Sequence, residues 1–351
     1  MMTILHITEV SSGGVLPMIG NICNGLVDEY HIIVAYGIRP DTPDNIKEYF
    51  DERIKLIPVT VLKRKISIKN DIRAMKEINR IVERCHPEII HMHSTKAGLL
   101  GRMTFLFFKG KKFYTPHGYS FLKKDDTKIE RFIYKMVEFL LAHTGCTTVA
   151  CGRSEWKYAQ KLNKNSIYIN NGIDIVWIDS ILNKVELKQH KFTVYTAGRI
   201  GPQKNPRLFN SIAECCPDIQ FVWVGDGEEA SYLTSPNITV TGLVDRESLL
   251  KITVNFDCYL SCAKWEGLPV ALLEAMYLEK ECIVSNVAGN KDLINDGQTG
   301  FIAYDKNDYI ELIYRVKTKE IQCGKYACEK VINEYSMKSM CDGYRELYRL
   351  V

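Results

Sequence analysis

The stretch NKVELKQHKFTVYTAGRIGPQKNP, residues 183–206, decides how this chain divides. Its first nine residues are a polar segment that interrupts a regular strand–helix pattern. FTVYTA then supplies a β-branched and aromatic run of strand length. GRIGPQKNP follows as a loop with Gly and Pro, opening a helix near Pro206. A polar interruption followed by a restarted strand–loop–helix pattern marks a second domain. Upstream, strands are predicted over residues 3–10, 31–37, 54–59, 88–94, 111–118, 147–152 and 166–172. Helix-like stretches separate them, such as 70–85 with Asn70 as N-cap. Downstream, strands are predicted over 192–198, 219–227, 238–242, 257–262 and 281–286. The last twenty residues, 332–351, look like a helix pair. Strands spaced by helices of this length form a parallel sheet with crossovers. The expectation is α/β: two doubly wound, Rossmann-like domains. Ligands of such sheets bind beyond the carboxyl ends of the strands, so two facing sheets would hold a ligand in the cleft between them.

Composition sets limits. The chain has 351 residues, of which 46% are hydrophobic and 25% charged, enough for two ordinary cores. A net charge of +4 is too small to argue for nucleic acid, and none is expected as a partner. The twelve cysteines include no CxxC pair, which reads as reduced thiols in a cytoplasmic protein rather than a disulfide framework. The N-terminal MMTILHITEV lacks the charge pattern and cleavage site of a signal peptide. No apolar run approaches the ~20 residues that span a bilayer.

The residues that carry chemistry fall at predicted strand ends. Arg199 and Lys204 lie in one loop before a helix N-terminus, an arrangement that suits a diphosphate; a solvated surface loop explains them equally well. Ser11-Ser12-Gly13-Gly14 follows the first strand but is not GxGxxG, so the dinucleotide fingerprint fails. Gly13 and Gly14 still permit close backbone approach, though a tight turn is the simpler reading. His91 and His93 form an HMH pair with no evident third ligand nearby, so no metal site is expected. His117, in TPHGYSF, reads as a polar contact facing the cleft or as a satisfied structural histidine. KWEGLPVALLEAM, residues 264–276, carries Glu266 in a loop and Glu274 on a helix predicted over 268–278, with Pro269 in its first turn. Leu268, Pro269 and Val270 mark the helix start, where free amides can meet an anion. Glu274 stands among Val270, Ala271, Leu273 and Ala275, where a lone carboxylate is costly; two ribose hydroxyls would satisfy it.

EGLPVALLEAM resembles the E-x7-E signature of retaining glycosyltransferases of family 4, glycosyltransferase group 1, which have the GT-B fold. GRIGPQKNP, VGDG (224–227), TGLV (241–244) and NNGID (170–174) are similar to further segments of that family, in its order and spacing. HMHSTKAGLLGR and TPHGYSFL are similar to N-domain segments of bacterial enzymes that build surface polysaccharides. One departure is that Glu266 is followed by Gly-Leu-Pro, where many relatives have a longer EGFGLP loop. The resemblance implies a retaining transfer of a sugar from a nucleotide-diphosphate sugar, UDP-linked, to a glycan or an undecaprenyl-diphosphate-linked saccharide. Glu274 would bind the ribose, Arg199 and Lys204 the diphosphate, and Gly13 and Gly14 would approach the donor phosphates. Gly225, Leu243 and Val244 would flank the nucleotide. Gly267, Leu268, Pro269 and Val270 would touch the sugar or phosphate. His117 and Glu266 would be the catalytic contacts to the donor sugar. No metal and no cofactor beyond the nucleotide sugar are implied, consistent with the lack of a clear DxD motif. The expected domains are 1–180 for the acceptor and 186–335 for the nucleotide sugar, with a helix over 336–351 returning to the first.

Other classes compete. A UDP-sugar 2-epimerase shares the GT-B fold and needs no acceptor. A dinucleotide oxidoreductase is disfavoured by the failed fingerprint, and a sugar-binding protein would not need the Arg-Lys-Glu set. Residues 101–140 mix nine Lys or Arg with Phe105, Leu106, Phe107, Phe108, Phe132, Ile133, Phe139 and Leu140. That mixture suits the inner face of an anionic cytoplasmic membrane, and equally a buried helix with a solvated basic edge.

Overall fold

The computed structural model describes residues 1–9, 14–40, 42–63, 65, 67–122, 126–186 and 190–349. It divides into two compact units, Met1–Gly172 with Met337–Val351, and Ile173–Ser336. The first unit is built on a seven-stranded sheet of β1 (Thr3–Thr8), β2 (His31–Gly37), β3 (Lys55–Val59), β4 (Ile89–His93), β5 (Lys111–Thr115), β6 (Thr147–Ala150) and β7 (Ser166–Tyr168). Their order is β3-β2-β1-β4-β5-β6-β7, and every pair is parallel. Its helices are α1 (Val15–Asn24), α2 (Ile68–Cys85), α3 (Ser94–Thr104), α4 (Lys128–Ala142) and α5 (Arg153–Leu162).

The second unit repeats the plan. Its helices are α6 (Ile175–Leu182), α7 (Pro206–Glu214), α8 (Arg246–Thr253), α9 (Val270–Tyr277), α10 (Ala288–Leu293), α11 (Lys306–Lys317) and α12 (Gly324–Glu334). Strands β8 (Thr193–Ala197), β9 (Gln220–Val224), β10 (Ile238–Val240), β11 (Cys258–Ser261), β12 (Glu281–Ser285) and β13 (Phe301–Ala303) lie in the order β10-β9-β8-β11-β12-β13, again all parallel. In each sheet the strand order reverses beside the first strand, at β1/β4 and at β8/β11, where doubly wound sheets take their ligands. The central strands of both sheets are buried on both faces, so they read as nearly continuous apolar runs.

Several expectations are corrected here. β13 has only three residues and lacked a run long enough to read as a strand. Helix α2 begins at Ile68 after Ser67, so Asn70 is inside the helix; the Ser67 N–H donates to Asp71 on the first turn. Pro269 is the N-cap of α9, one residue before the helix. Residues 173–180 belong to the second unit, because α6 packs there: Tyr277 donates to Asp179 at 2.6 Å, and Trp177 lies under Arg246. The chain re-enters the first unit through α13 (Met337–Arg349), which packs on α1 and buries Tyr344 and Tyr348.

A buried charge fastens α3 to α4. Arg102, 1% exposed, donates to Glu138 at 2.8 Å and to the Gly98 carbonyl at 2.9 Å, and its guanidinium stacks 3.9 Å from the Tyr114 ring centroid. Tyr114 donates to the other Glu138 oxygen at 2.9 Å. Removing one partner strands the other in the core. Glu138→Ala is therefore expected to lose about 3–5 kcal/mol. Arg102→Met combined with Glu138→Leu should recover most of that loss, as urea unfolding followed by circular dichroism will show.

Candidate active site

In the second unit the loops at the carboxyl ends of β8, β9, β11 and β12 crowd together. Gly225, at φ +144°, passes so close to the next loop that a Cβ there would lie 2.3 Å from the Gly198 carbonyl oxygen. A Cβ at Gly289 would lie 1.9 Å from the Gly267 carbonyl oxygen. Backbone therefore packs on backbone, and the polar side chains of these loops are aimed at one another.

Lys204 donates to Glu266 at 2.8 Å, and Gln203 reaches the other Glu266 oxygen at 3.2 Å. Both charges of the pair are largely buried, at 17% and 8% exposed. Burial alone would push the Lys204 ammonium down; the Glu266 carboxylate outweighs it and holds Lys204 above its ordinary range. The structure thus brings together Lys204 and Glu266, which lie 62 residues apart. Arg199 is placed differently. It is 65% exposed and pairs with Glu228 at 2.9 Å, an interaction that water and salt weaken.

Glu274 is buried on α9, 5% exposed, and its partner is Arg246 on the first turn of α8 at 2.8 Å. The Arg246 guanidinium stacks 4.7 Å from the Trp177 ring centroid, and its Nη2 is buried with no partner. Sequence reasoning found the carboxylate but missed this cation, whose only local signal was its place just after the Asp245 N-cap. The tolerance of Glu274 on an apolar helix, expected to come from ribose hydroxyls, is explained in this structure by Arg246. Gly225 donates to the Thr241 hydroxyl at 3.2 Å and bridges to Gly242, so the loops after β9 and β10 are tied together. Beyond them Leu243 is 88% exposed and Val244 half-buried. Leu268 and Pro269 are buried and Gly267 and Val270 half-buried at the start of α9.

In the first unit Gly13 lies outside the described residues, and Gly14 caps α1 in ordinary right-handed conformation. Glu9, also missed, accepts from the Lys96 and Ala97 amides at 3.2 and 3.0 Å, so the N-terminus of α3 is already capped by a carboxylate. His117 has φ +52°, one of six non-glycine residues with positive φ among the described residues. Both its ring nitrogens are engaged: Nε2 with His93 at 3.1 Å and Nδ1 with the Cys151 thiol at 3.3 Å. His6 on β1 is the third imidazole that spacing along the chain could not reveal, and His6, His91 and His93 have ring nitrogens within 4.8 Å of one another. Apart from His6 Nε2, which has no partner, these nitrogens are already engaged in hydrogen bonds. His6 Nδ1 and His93 Nε2 are 2.9 Å apart, and His91 contacts Tyr348 at 2.5 Å and Thr115 at 2.9 Å. A metal would have to break these contacts.

Burial drives His6 down to about 3 and His117 down to about 4, and drives His91 and His93 well below the ordinary imidazole range, with neighbouring histidines adding to the last two. These rings are neutral when folded and protonate near pH 6.5 when unfolded, so the unfolded chain binds more protons as pH falls below 6.5. Stability should be full above that pH and decline below it, by up to about 1.4 kcal/mol per pH unit for each such histidine. Urea midpoints measured from pH 7.5 to 5 check this, and His6→Asn should make the decline shallower.

Comparison with known proteins bears on the family and the fold. Residues 178–329 match the family model of glycosyl transferases group 1, and residues 4–151 match the glycosyl transferase 4-like model. The UDP-Gal:alpha-D-GlcNAc-diphosphoundecaprenol alpha-1,3-galactosyltransferase of Escherichia coli is 28% identical over 340 residues, covering 86% of each chain. Among solved structures, sucrose-phosphate synthase from Thermosynechococcus elongatus superposes with a TM-score of 0.85 at 17% identity, covering 100% of this chain and 99% of that one. The Anabaena protein HepE, solved with UDP and glucose, gives 0.80 at 14% identity, covering both chains completely. With both halves matched in order and two doubly wound units in the chain, the protein belongs to the group 1 glycosyltransferases and has the GT-B fold.

Proposed function

We propose that this glycosyltransferase moves a sugar from a UDP-sugar to a lipid-diphosphate-linked saccharide, with retention at the anomeric carbon, in bacterial surface-polysaccharide synthesis. The observation that carries the reading is the pair of buried ion pairs at the strand ends of the second unit, Lys204–Glu266 and Arg246–Glu274. Each holds a desolvated charge ready for a ligand. Lys204 meets the diphosphate, exchanging part of its bond to Glu266 for phosphate oxygens. The freed carboxylate oxygen then accepts from a hydroxyl of the donor sugar. Glu274 accepts from the ribose hydroxyls while Arg246 keeps its charge neutralised. The unpartnered Arg246 Nη2 is a donor to a ligand oxygen in the same place. The free amides at the start of α9 and the Arg199 guanidinium add positive potential where the leaving diphosphate gains charge, so these groups serve without a metal ion. His117 is assigned to the hydroxyls of the donor sugar. The E. coli relative's diphosphoundecaprenol-linked substrate and the UDP bound by the Anabaena protein support this choice of acceptor and donor.

The reading is tested by incubating the enzyme with a panel of UDP-sugars and a lipid-diphosphate GlcNAc, then assigning the new anomeric centre by NMR. Product with inverted configuration would overturn retention, and conversion of the donor without acceptor would replace transfer by epimerisation. Arg199→Ala is the cleanest single change, because its pair with Glu228 is exposed and the fold does not depend on it. UDP affinity by calorimetry should fall about ten- to a hundred-fold, the scale of a lost charged contact to phosphate. Unchanged affinity would remove Arg199 from the phosphate site.

A lipid-linked acceptor calls for a surface that meets lipid, and α4 offers one. Ile129, Phe132, Ile133, Met136 and Leu140 repeat at helical spacing and are 42–73% exposed, with Phe139 beside them at 43%. Phe107, after α3, is 96% exposed. Phe105 is buried, and Lys112 is spent on the Phe105 and Thr144 carbonyls at 2.9 Å each, so neither belongs to the surface. Lys123 and Lys124 lie outside the described residues. Among the described residues no helix is long and apolar enough to cross a membrane. Wild type should float with anionic liposomes at low salt, and Phe107→Ser with Phe132→Ser and Leu140→Ser should abolish this while leaving UDP binding intact. Wild type that stays unbound would exclude the stripe as a lipid contact.

A further inference from the structure

The imidazoles of the first unit form a chain that ends at His117. His6 Nδ1 lies 2.9 Å from His93 Nε2, His93 Nδ1 lies 3.1 Å from His117 Nε2, and His117 Nδ1 lies 3.3 Å from Cys151 Sγ. A neutral imidazole owns one N–H, so each nitrogen–nitrogen contact needs a donor on one side and a lone pair on the other. The Cys151 thiol is buried and stays protonated, held far above the usual range first by burial and then by Glu155, to which its S–H donates a hydrogen bond. Its sulfur is therefore the acceptor, and His117 Nδ1–H the donor. His117 Nε2 is then bare and accepts from His93 Nδ1–H. His93 Nε2 in turn accepts from His6 Nδ1–H. The chain ends at His6 Nε2 as a lone pair, which is the buried nitrogen found without a partner. The reverse order would leave a buried N–H with no acceptor, the costlier defect.

We propose that this ordered chain presents His117 as a hydrogen-bond donor through Nδ1, with Glu155, Cys151, His93 and His6 as positioning residues; the inference rests on the assignment of His117 to the donor sugar. A thiol sulfur is a weak acceptor, so the Nδ1–H passes readily to a sugar hydroxyl. Nε2 is closed by His93, so the ring does not serve as a base. Glu155 also sets the backbone: it accepts from the Gly118 amide at 2.6 Å and the Cys151 amide at 2.8 Å, bracing the turn in which His117 takes its positive φ. A three-histidine metal centre fits less well. The His91 and His93 rings are stacked, 4.2 Å apart at 27°, so their in-plane lone pairs do not converge on one point.

The test is histidine-selective nitrogen-15 NMR on the full chain, read at pH 6 to 8 with and without stoichiometric zinc. The expected result is Nδ1–H on His6, His93 and His117, no titration in that window and no zinc-induced shift. A His117 protonated on Nε2, or zinc binding that shifts the ring nitrogens, overturns the chain. A kinetic arm asks whether the chain matters for transfer. His93→Phe removes the donor to His117 Nε2 and should lower kcat about ten- to a hundred-fold with little change in KM, the scale of a misplaced catalytic group. His93→Gln, whose amide can still donate, should restore most of it. Full kcat in His93→Phe overturns the positioning role. Full transfer by His117→Ala would instead remove the assignment on which the inference rests, and the NMR tautomers tell the two failures apart.

Discussion

Every strand in both sheets runs parallel to its neighbour, and a parallel pair can be joined only by a crossover that passes over the face of the sheet. This constraint shapes both units. It demands a helix after almost every strand and buries the strands on both faces. It also leaves the carboxyl ends as the place where loops from non-consecutive strands meet. In the second unit β8 and β11 are neighbours although 60 residues of chain lie between them, and so the loop holding Lys204 reaches the loop holding Glu266. The glycines at 225 and 289 are the cost of this crowding, since each stands where a side chain would strike a neighbouring carbonyl.

Charge in such a place must be balanced before a ligand arrives. Lys204 with Glu266 and Arg246 with Glu274 are opposite charges withdrawn from water, so each is tolerable only because the other is there. The same pairing makes them useful. In the proposed reaction, a ligand that brings phosphates or hydroxyls would exchange one set of polar contacts for another without first desolvating the protein groups. Arg199 stands apart from this logic: it is exposed, and water and salt weaken its pair with Glu228.

The first unit handles buried polarity with neutral groups instead. β4 brings His91 and His93 to one face by strand alternation, β1 adds His6 in register with His91, and α13 closes over them with Tyr344 and Tyr348. Burial keeps these rings uncharged, and hydrogen bonds among them replace those that water would have made. The arrangement ties the last helix of the chain to the centre of the first sheet.

Strand and helix positions were legible in the sequence because each depends on local matters: run length, β-branching, a Pro near a helix start, a polar break near residue 185. Glu274 was legible for the same reason, since a carboxylate on an apolar helix is anomalous wherever that helix lies, and Glu266 was legible through its spacing from Glu274. What stayed hidden was every partner. Arg246 for Glu274, His6 for His93, Glu155 for the turn at His117 and Glu138 for Arg102 are 28 to 87 residues away along the chain. No periodicity links such residues; only the crossover topology and side-chain packing bring them together. The same holds for α4, whose apolar stripe is visible in the sequence, whereas the face left open to solvent was decided by how α3 and the Arg102–Glu138 pair orient the helix. The sequence alone therefore determined the elements and the anomalous charges, and the tertiary structure decided which charges are paired, because pairing is a property of distance in space.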